Sequence, residues 1–356
     1  MWALAALLAC TASDTETDEP LTPEQVVDEL RAVGPYGVGY RESELTYDAV
    51  RSEGRTLRLA LWYPTNSNTG AEVRYRGLFP APEVLGDADV ADGSFPVLVF
   101  AHGHQGYAEN SARLIEHITS HGWVVVSPDH TGNTTFDGPD RETSIYVWRG
   151  SDTRAAVQHL RTQDPLADSI TDELGAMGHS FGGYHLQAMG GATFLDSVID
   201  ACLDGSDTSA FCSTMDDEWA GMFRAGLGDH DDLSAIVTMA PGDYRLFEAG
   251  LADMSVPVMH HTGAFDTGHD NDDTWLAFDH ADDVRVHMPR AGHQSYTDVA
   301  GSLGAADDEL PPEEGWDIIQ TTSLAYLRAM VLNDASAAAA YDGSVDWTSE
   351  AEFSSH

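Results

Sequence analysis

The stretch GAMGHSFGGYHLQ, residues 175–187, places Ser180 inside Gly178-His179-Ser180-Phe181-Gly182. A G-x-S-x-G pattern arises by chance often enough in a chain with 33 glycines, so its flanks decide the reading. LGAM leads in as a short apolar run of strand character, and GGYHLQAMGG leads out as a helix. A strand that turns sharply into a helix crowds the backbone, and residues without a Cβ at 178 and 182 relieve the crowding. That geometry would lift the Ser180 hydroxyl above a sheet edge, with helix N–H groups beneath it to meet developing negative charge. Ser180 is therefore the candidate nucleophile.

Working outward, FPVLVFAHG, GWVVVSPDH, LSAIVTMAPG, VPVMHHTGA and VRVHMPRAGH are further apolar runs, separated by helical patterns such as SARLIEHITSHG and TRAAVQHLRTQ. Strands buried on both faces of a parallel sheet read this way. The order predicts right-handed crossovers and an α/β, doubly wound, mostly parallel sheet. Earlier, GVGYRESELTYDAV and RTLRLALWYP alternate as strands do, with Leu57, Leu59 and Leu61 on one side, and predict an antiparallel start to the sheet. A helix is expected from Pro23, capped by Thr22. Residues 66–94 read as loop-rich, ending in turn chemistry at Asp92-Gly93. Residues 192–232 interrupt the rhythm and are expected to form an insertion, or lid, between the nucleophile helix and the next strand. The domain is expected to span residues 23–333, with 334–356 as a peripheral tail.

The chain has 356 residues, 42% of them hydrophobic, enough for one large α/β domain. Acidic residues number 59 against 17 basic ones, a formal charge of -42, and every basic residue is arginine. Such a surface repels phosphate backbones and anionic lipid, which argues against nucleic acid as a partner and favours an uncharged substrate. It also suits solubility in salty surroundings.

A serine hydroxyl is a poor nucleophile at neutral pH, so a histidine must take its proton and a carboxylate must fix that histidine's tautomer. In a sheet of this kind the chain order is Ser, acid, His, with the last two on loops after later strands. His293 in AGH, after VRVHMP, is the expected base. Asp266, just beyond VPVMHHTGA, is the first candidate acid, and Asp243 in APGDY is its rival. One oxyanion amide is expected from Phe181, which follows the nucleophile, and the other from AHGHQG, with His104 preferred and Gln105 in reserve. His102 is read as packing that holds this loop. Tyr107, Phe181 and Trp148 are the candidate substrate-binding aromatics.

These motifs together resemble serine α/β-hydrolases. The similarity is to the bacterial group related to platelet-activating-factor acetylhydrolases, dienelactone hydrolases and cutinase-like polyester hydrolases. It rests on GPYGVGY, LRLALWYPT, VLVFAHGHQG, GHSFGG, GAFDTGH and AGHQSY, over residues 35–333. Dienelactone hydrolases use a cysteine nucleophile where this chain has Ser180. Polyester hydrolases carry an aromatic residue where it has His104, and many carry Met where it has Phe181. The resemblance implies a carboxylic ester hydrolase acting through an acyl-enzyme, with no cofactor. The substrate would be a small-molecule or polymeric ester. A catalytically inactive binding module on the same fold is the contrasting reading.

Residues 1–10, MWALAALLAC, hold an apolar run too short to span a bilayer and end in a lipobox-like LLAC. They are expected to be an export signal, the monomer being either secreted or, with Cys10 as a lipidation site, anchored to a bacterial membrane through an acidic tether, residues 11–22. Cys202 and Cys212 flank a polar loop and are expected to pair in an oxidising compartment. The His- and Asp-rich MHHTGAFDTGHDNDD invites a metal reading. His260 and His261, adjacent on a strand, must face opposite sides, and the Asp spacing does not fit a calcium loop, so no metal is expected.

Overall fold

The computed structural model describes residues 20–138, 141–228, 232–300 and 308–356. The expected leader and Cys10 lie outside the described residues. The strands are β1 (Gly37–Ala49), β2 (Ser52–Thr65), β3 (Ala71–Tyr75), β4 (Phe79–Gly86), β5 (Phe95–Ala101), β6 (Val124–Pro128), β7 (Ile170–His179), β8 (Leu233–Met239), β9 (Val258–Gly263), β10 (Val284–Met288) and β11 (Glu352–Ser355). They form one sheet in the order β11-β10-β9-β8-β7-β5-β6-β2-β1-β4-β3. The run from β6 to β10 is parallel throughout. β1 and β2 form the expected antiparallel pair, and β2 joins β6 antiparallel.

The helices are α1 (Pro23–Arg31), α2 (Ala112–Ser120), α3 (Thr143–Thr162), α4 (Phe181–Met189), α5 (Asp196–Leu203), α6 (Asp217–Ala225), α7 (Asn271–Ala277) and α8 (Pro312–Val331). Leu57, Leu59, Leu61 and Tyr63 pack with α3, α4 and α5 in one buried cluster. Their neighbours Ala60 and Trp62 pack with α1, α2 and α8 in the other. Successive side chains of a strand point to opposite faces, so a helical layer covers each face of the sheet. Thr22 caps α1, its side chain accepting from the Gln25 amide and Gln25 returning the bond.

The structure adds to one expectation and corrects another. Residues 66–94, expected to be loop-rich, also contain the β3–β4 hairpin, and β4 pairs parallel to β1. The tail is not peripheral: Ala337, Ala339, Ala340 and Tyr341 are buried against α8, and β11 extends the sheet beside β10. Residues 192–228 hold α5, α6 and the Cys202–Cys212 disulfide, and bury Phe194 against Phe247, with Phe211 and Phe223 packed on Phe194 and on each other.

After β5 the chain moves outward to β6, then returns to the other side of β5 to form β7. The carboxyl ends of β5 and β7 therefore flank the point where the winding reverses, which is where open α/β sheets form their ligand crevices. Residues 102–106 and Ser180 emerge at those two ends.

Candidate active site

Ser180 sits between β7 and α4 with φ 54° and ψ −118°, a conformation that costs a non-glycine residue energy and persists only where its surroundings enforce it. The surroundings are specific. A Cβ on Gly182 would lie 2.0 Å from the Ala101 carbonyl oxygen, and one on Gly178 would lie 2.7 Å from the Gly182 carbonyl carbon. The Ser180 amide donates to the Met239 carbonyl at 2.9 Å and the Gly242 amide to the Ser180 carbonyl at 3.2 Å, which ties the turn to the end of β8.

The Ser180 hydroxyl lies 3.0 Å from His293 Nε2, and His293 Nδ1 lies 3.1 Å from Asp266 Oδ2. Residues 180, 266 and 293 thus form one hydrogen-bonded chain across three loops. Of the two candidate acids, Asp266 is the one on the histidine. Asp243, in a left-handed turn after β8, is instead bound by Arg141.

Two histidines to which the sequence reading gave no role also contact these residues. His179 Nε2 donates to the His293 carbonyl at 2.8 Å. His269 Nδ1 donates to Asp266 Oδ1 at 2.7 Å, and its ring stacks on His293 with centroids 4.1 Å apart. Asn271 Nδ2 donates to Asp266 Oδ2 at 2.9 Å. Burial alone would raise the Asp266 carboxyl, but the hydrogen bonds from His269 and His293 outweigh it and hold it well below the usual carboxylate range. Both missed histidines stood inside quoted motifs, GHSFGG and GAFDTGH, but no spacing rule marked them.

Asp266, His269 and His293 bring a carboxylate and two ring nitrogens within 4.8 Å of one another. The imidazoles are almost parallel, at 7°. Their in-plane lone pairs therefore run side by side rather than converging on one tetrahedral ion. A cavity of about 600 Å³ borders Asp266, His269, Arg285 and His287 but neither Ser180 nor His293, so it lies on the acid's side of the site.

On the opposite side, the loop at 102–106 packs onto the serine: a Cβ on Gly103 would meet the Ser180 Cβ at 3.2 Å. The Gln105 amide is taken by the Asn133 carbonyl at 3.1 Å, so His104 is the better placed of the two expected amide donors. His102 donates through Nδ1 to the Gly103 carbonyl and accepts at Nε2 from the His130 amide. Burial, with the nearby Arg149 charge, keeps its ring neutral. His104 is pushed down to about 4 by burial and by the Arg141 charge.

The expected aromatics divide. The Phe181 ring is buried at the elbow, with the Arg141 guanidinium 4.4 Å and the Arg149 guanidinium 4.9 Å from its centroid. Tyr107 stacks on Phe79 and meets the edge of Phe136 on the outer side of the loop, at a cavity of about 270 Å³. The Trp148 indole donates to the Val50 carbonyl at the β1–β2 turn and packs against Arg55. The next residue, Arg149, about 100° further round the helix, reaches the loop at 102–106 through the His102 carbonyl.

A family model described as chlorophyllase matches residues 73–197, about a third of the chain. The bis(hydroxyethyl) terephthalate hydrolase of Streptomyces coelicolor is 36% identical over 94 residues, which is 26% of this chain and 27% of that protein. The match thus spans about a quarter of the relative's length. With the sheet order and crossovers described above, these similarities define the class: this chain has the α/β-hydrolase fold.

Proposed function

We propose that the chain is a carboxylic ester hydrolase that works through an acyl-enzyme on Ser180. The observation that carries the reading is the continuous hydrogen-bonded chain Ser180–His293–Asp266, set on a strained elbow. In the forward step Ser180 Oγ attacks the ester carbonyl carbon while His293 Nε2 takes the hydroxyl proton. Asp266, kept ionised by its donors, holds Nδ1–H in place and stabilises the imidazolium. The amides of Phe181 and His104 receive the oxyanion. The imidazolium then gives its proton to the departing alcohol oxygen. A water activated by the same His293 attacks the acyl carbonyl and releases the acid.

An uncharged ester suits the acidic surface, and the relative's name points to a terephthalate ester as a substrate worth testing. A polymeric ester is the second reading, favoured by the same similarity. Export, with lipid attachment at Cys10, remains part of the proposal and draws support from the Cys202–Cys212 disulfide, since such bonds persist in oxidising compartments.

The test is a fluorophosphonate probe with p-nitrophenyl esters of rising acyl length, bis(hydroxyethyl) terephthalate and a polyester film. Labelling and turnover by the wild type, both lost in Ser180→Ala, are expected. Labelling that survives the substitution would overturn the assignment of the nucleophile, and an unlabelled, inactive wild type would favour a binding module.

A further inference from the structure

Arg149 is completely buried in α3, and the contacts around its guanidinium are neutral. Nε donates to His185 Nδ1 at 3.3 Å, Nη1 to Asn133 Oδ1 at 2.8 Å, and Nη2 to the carbonyl of His102. The nearest carboxylate on its own helix, Asp152, is already engaged by Arg55, Tyr47 and His130. Burying a cation without a directly paired anion is expensive, so this arrangement calls for a reason other than stability.

The contacts indicate what that reason is. Arginine can only donate hydrogen bonds. It therefore fixes the Asn133 side chain with its oxygen towards Arg149 and its NH₂ group towards the site, where Nδ2 lies 2.8 Å from His104 Nδ1. His104 Nδ1 must then be an acceptor, which makes the ring a neutral Nε2–H tautomer. The Asn133 backbone carbonyl holds the next amide of the loop, that of Gln105, in a left-handed conformation with φ 55°. The loop is thus held at three successive points, the His102 carbonyl, the His104 ring and the Gln105 amide, and all three lead to Arg149 directly or through Asn133. The guanidinium also lies against the ring of Phe181, whose amide is the other expected donor.

We infer that Arg149 is the positioning residue of the oxyanion hole: through the His102 carbonyl and Asn133 it sets where the His104 amide points, and it places a fixed positive charge behind the spot where the ester oxygen becomes negative. A preorganised donor does not have to reorient as charge develops, so the benefit falls on the transition state and not on bound substrate. Burial moves the Arg149 guanidinium down to about 9, so it remains a cation at neutral pH. This inference rests on the reading of Ser180 as the nucleophile.

The experiment compares wild type, Arg149→Lys, Asn133→Ala and the double variant, each checked for folding by thermal melting. It measures kcat and KM on a short-chain p-nitrophenyl ester. It also measures inhibition by a trifluoromethyl ketone, which becomes an oxyanion on Ser180, against the matching secondary alcohol, which cannot. Each folded single variant is expected to keep KM within about threefold. Its kcat should fall at least tenfold, towards the roughly 10²- to 10³-fold seen when an oxyanion donor is removed. Ketone affinity should fall in parallel with kcat while alcohol affinity holds, and the double variant should lose little more than the worse single one, because both act through one linkage. Unchanged kcat in a folded variant, or ketone and alcohol weakened alike, overturns the inference. If Arg149→Lys does not fold, Asn133→Ala alone decides, since it cuts the link to His104 and leaves the cation in place. A wild type without ester turnover would instead show that the parent reading had failed.

Discussion

Asp266 accepts from His293, His269 and Asn271 at once, and this sets what each substitution should do. Asp266→Asn replaces an acceptor with a group that cannot hold the same tautomer of His293, and kcat should fall by about 10⁴-fold with the protein still folded. His269→Phe keeps a flat ring against His293 but removes one donor. The expected loss is roughly tenfold or less in kcat, read on the same ester, because two donors to the carboxylate remain. A drop as large as that of Asp266→Asn would mean that His269 itself moves a proton. Asp266, depressed in the fold, contributes stability above the unfolded carboxyl value of about 3.9, lost only as pH falls through its lower folded value.

The elements differ in how plainly they could be read from the sequence, and the reasons are physical. The buried parallel strands were legible because both faces need apolar side chains, and the elbow was legible because its glycines answer a steric demand that nothing else meets. β4 was hidden by Pro80 and Pro82 and an exposed pattern, as expected near a sheet edge where fewer ladder bonds are needed. β11 was hidden because a four-residue strand with an exposed and polar sequence carries no period of its own. Ser180 and His293 followed from motif and chain order, whereas Arg149 could not be found, since a single arginine in a helix gives no hint of which face it will take. The insertion offers a prediction at this scale. The disulfide encloses the start of a ring sequence, Phe211 to Tyr146 to Phe181, with centroids 5.1 and 4.8 Å apart. The Phe211 carbonyl is also held by Thr143 at the start of α3. Cys202→Ser with Cys212→Ser should cost about 2–3 kcal/mol in chemical denaturation, the value expected for closing so short a loop. Turnover per folded molecule should fall only modestly, because Phe181 is also packed by Tyr184. An unchanged denaturation midpoint would show that the bond contributes nothing to the fold.

At the scale of the whole molecule, a formal charge of -42 must be reconciled with a compact chain. The arginines are spent locally: Arg58 and Arg76 bind Glu109 and Asp129, Arg55 binds Asp152, Arg328 joins Glu29 to Asp334, and Arg31 meets Asp317. These pairs tie α1 to α8 and the first strands to the loop after β6, but they leave a large excess of carboxylates facing water. That excess repels itself, and the repulsion is relieved when the chain expands, so it destabilises the fold at low salt. Screening reaches about 8 Å at physiological ionic strength and shortens to about 3 Å at 1 M. Added sodium chloride should therefore raise the melting temperature, with most of the rise complete by about 1 M, and ester turnover by the folded protein should persist across the same range. Sucrose, which strengthens burial without screening charge, should raise it without that saturation. A melting temperature that falls as salt is added would show that the exposed ion pairs outweigh the repulsion, and would remove the basis for reading this surface as one suited to saline conditions.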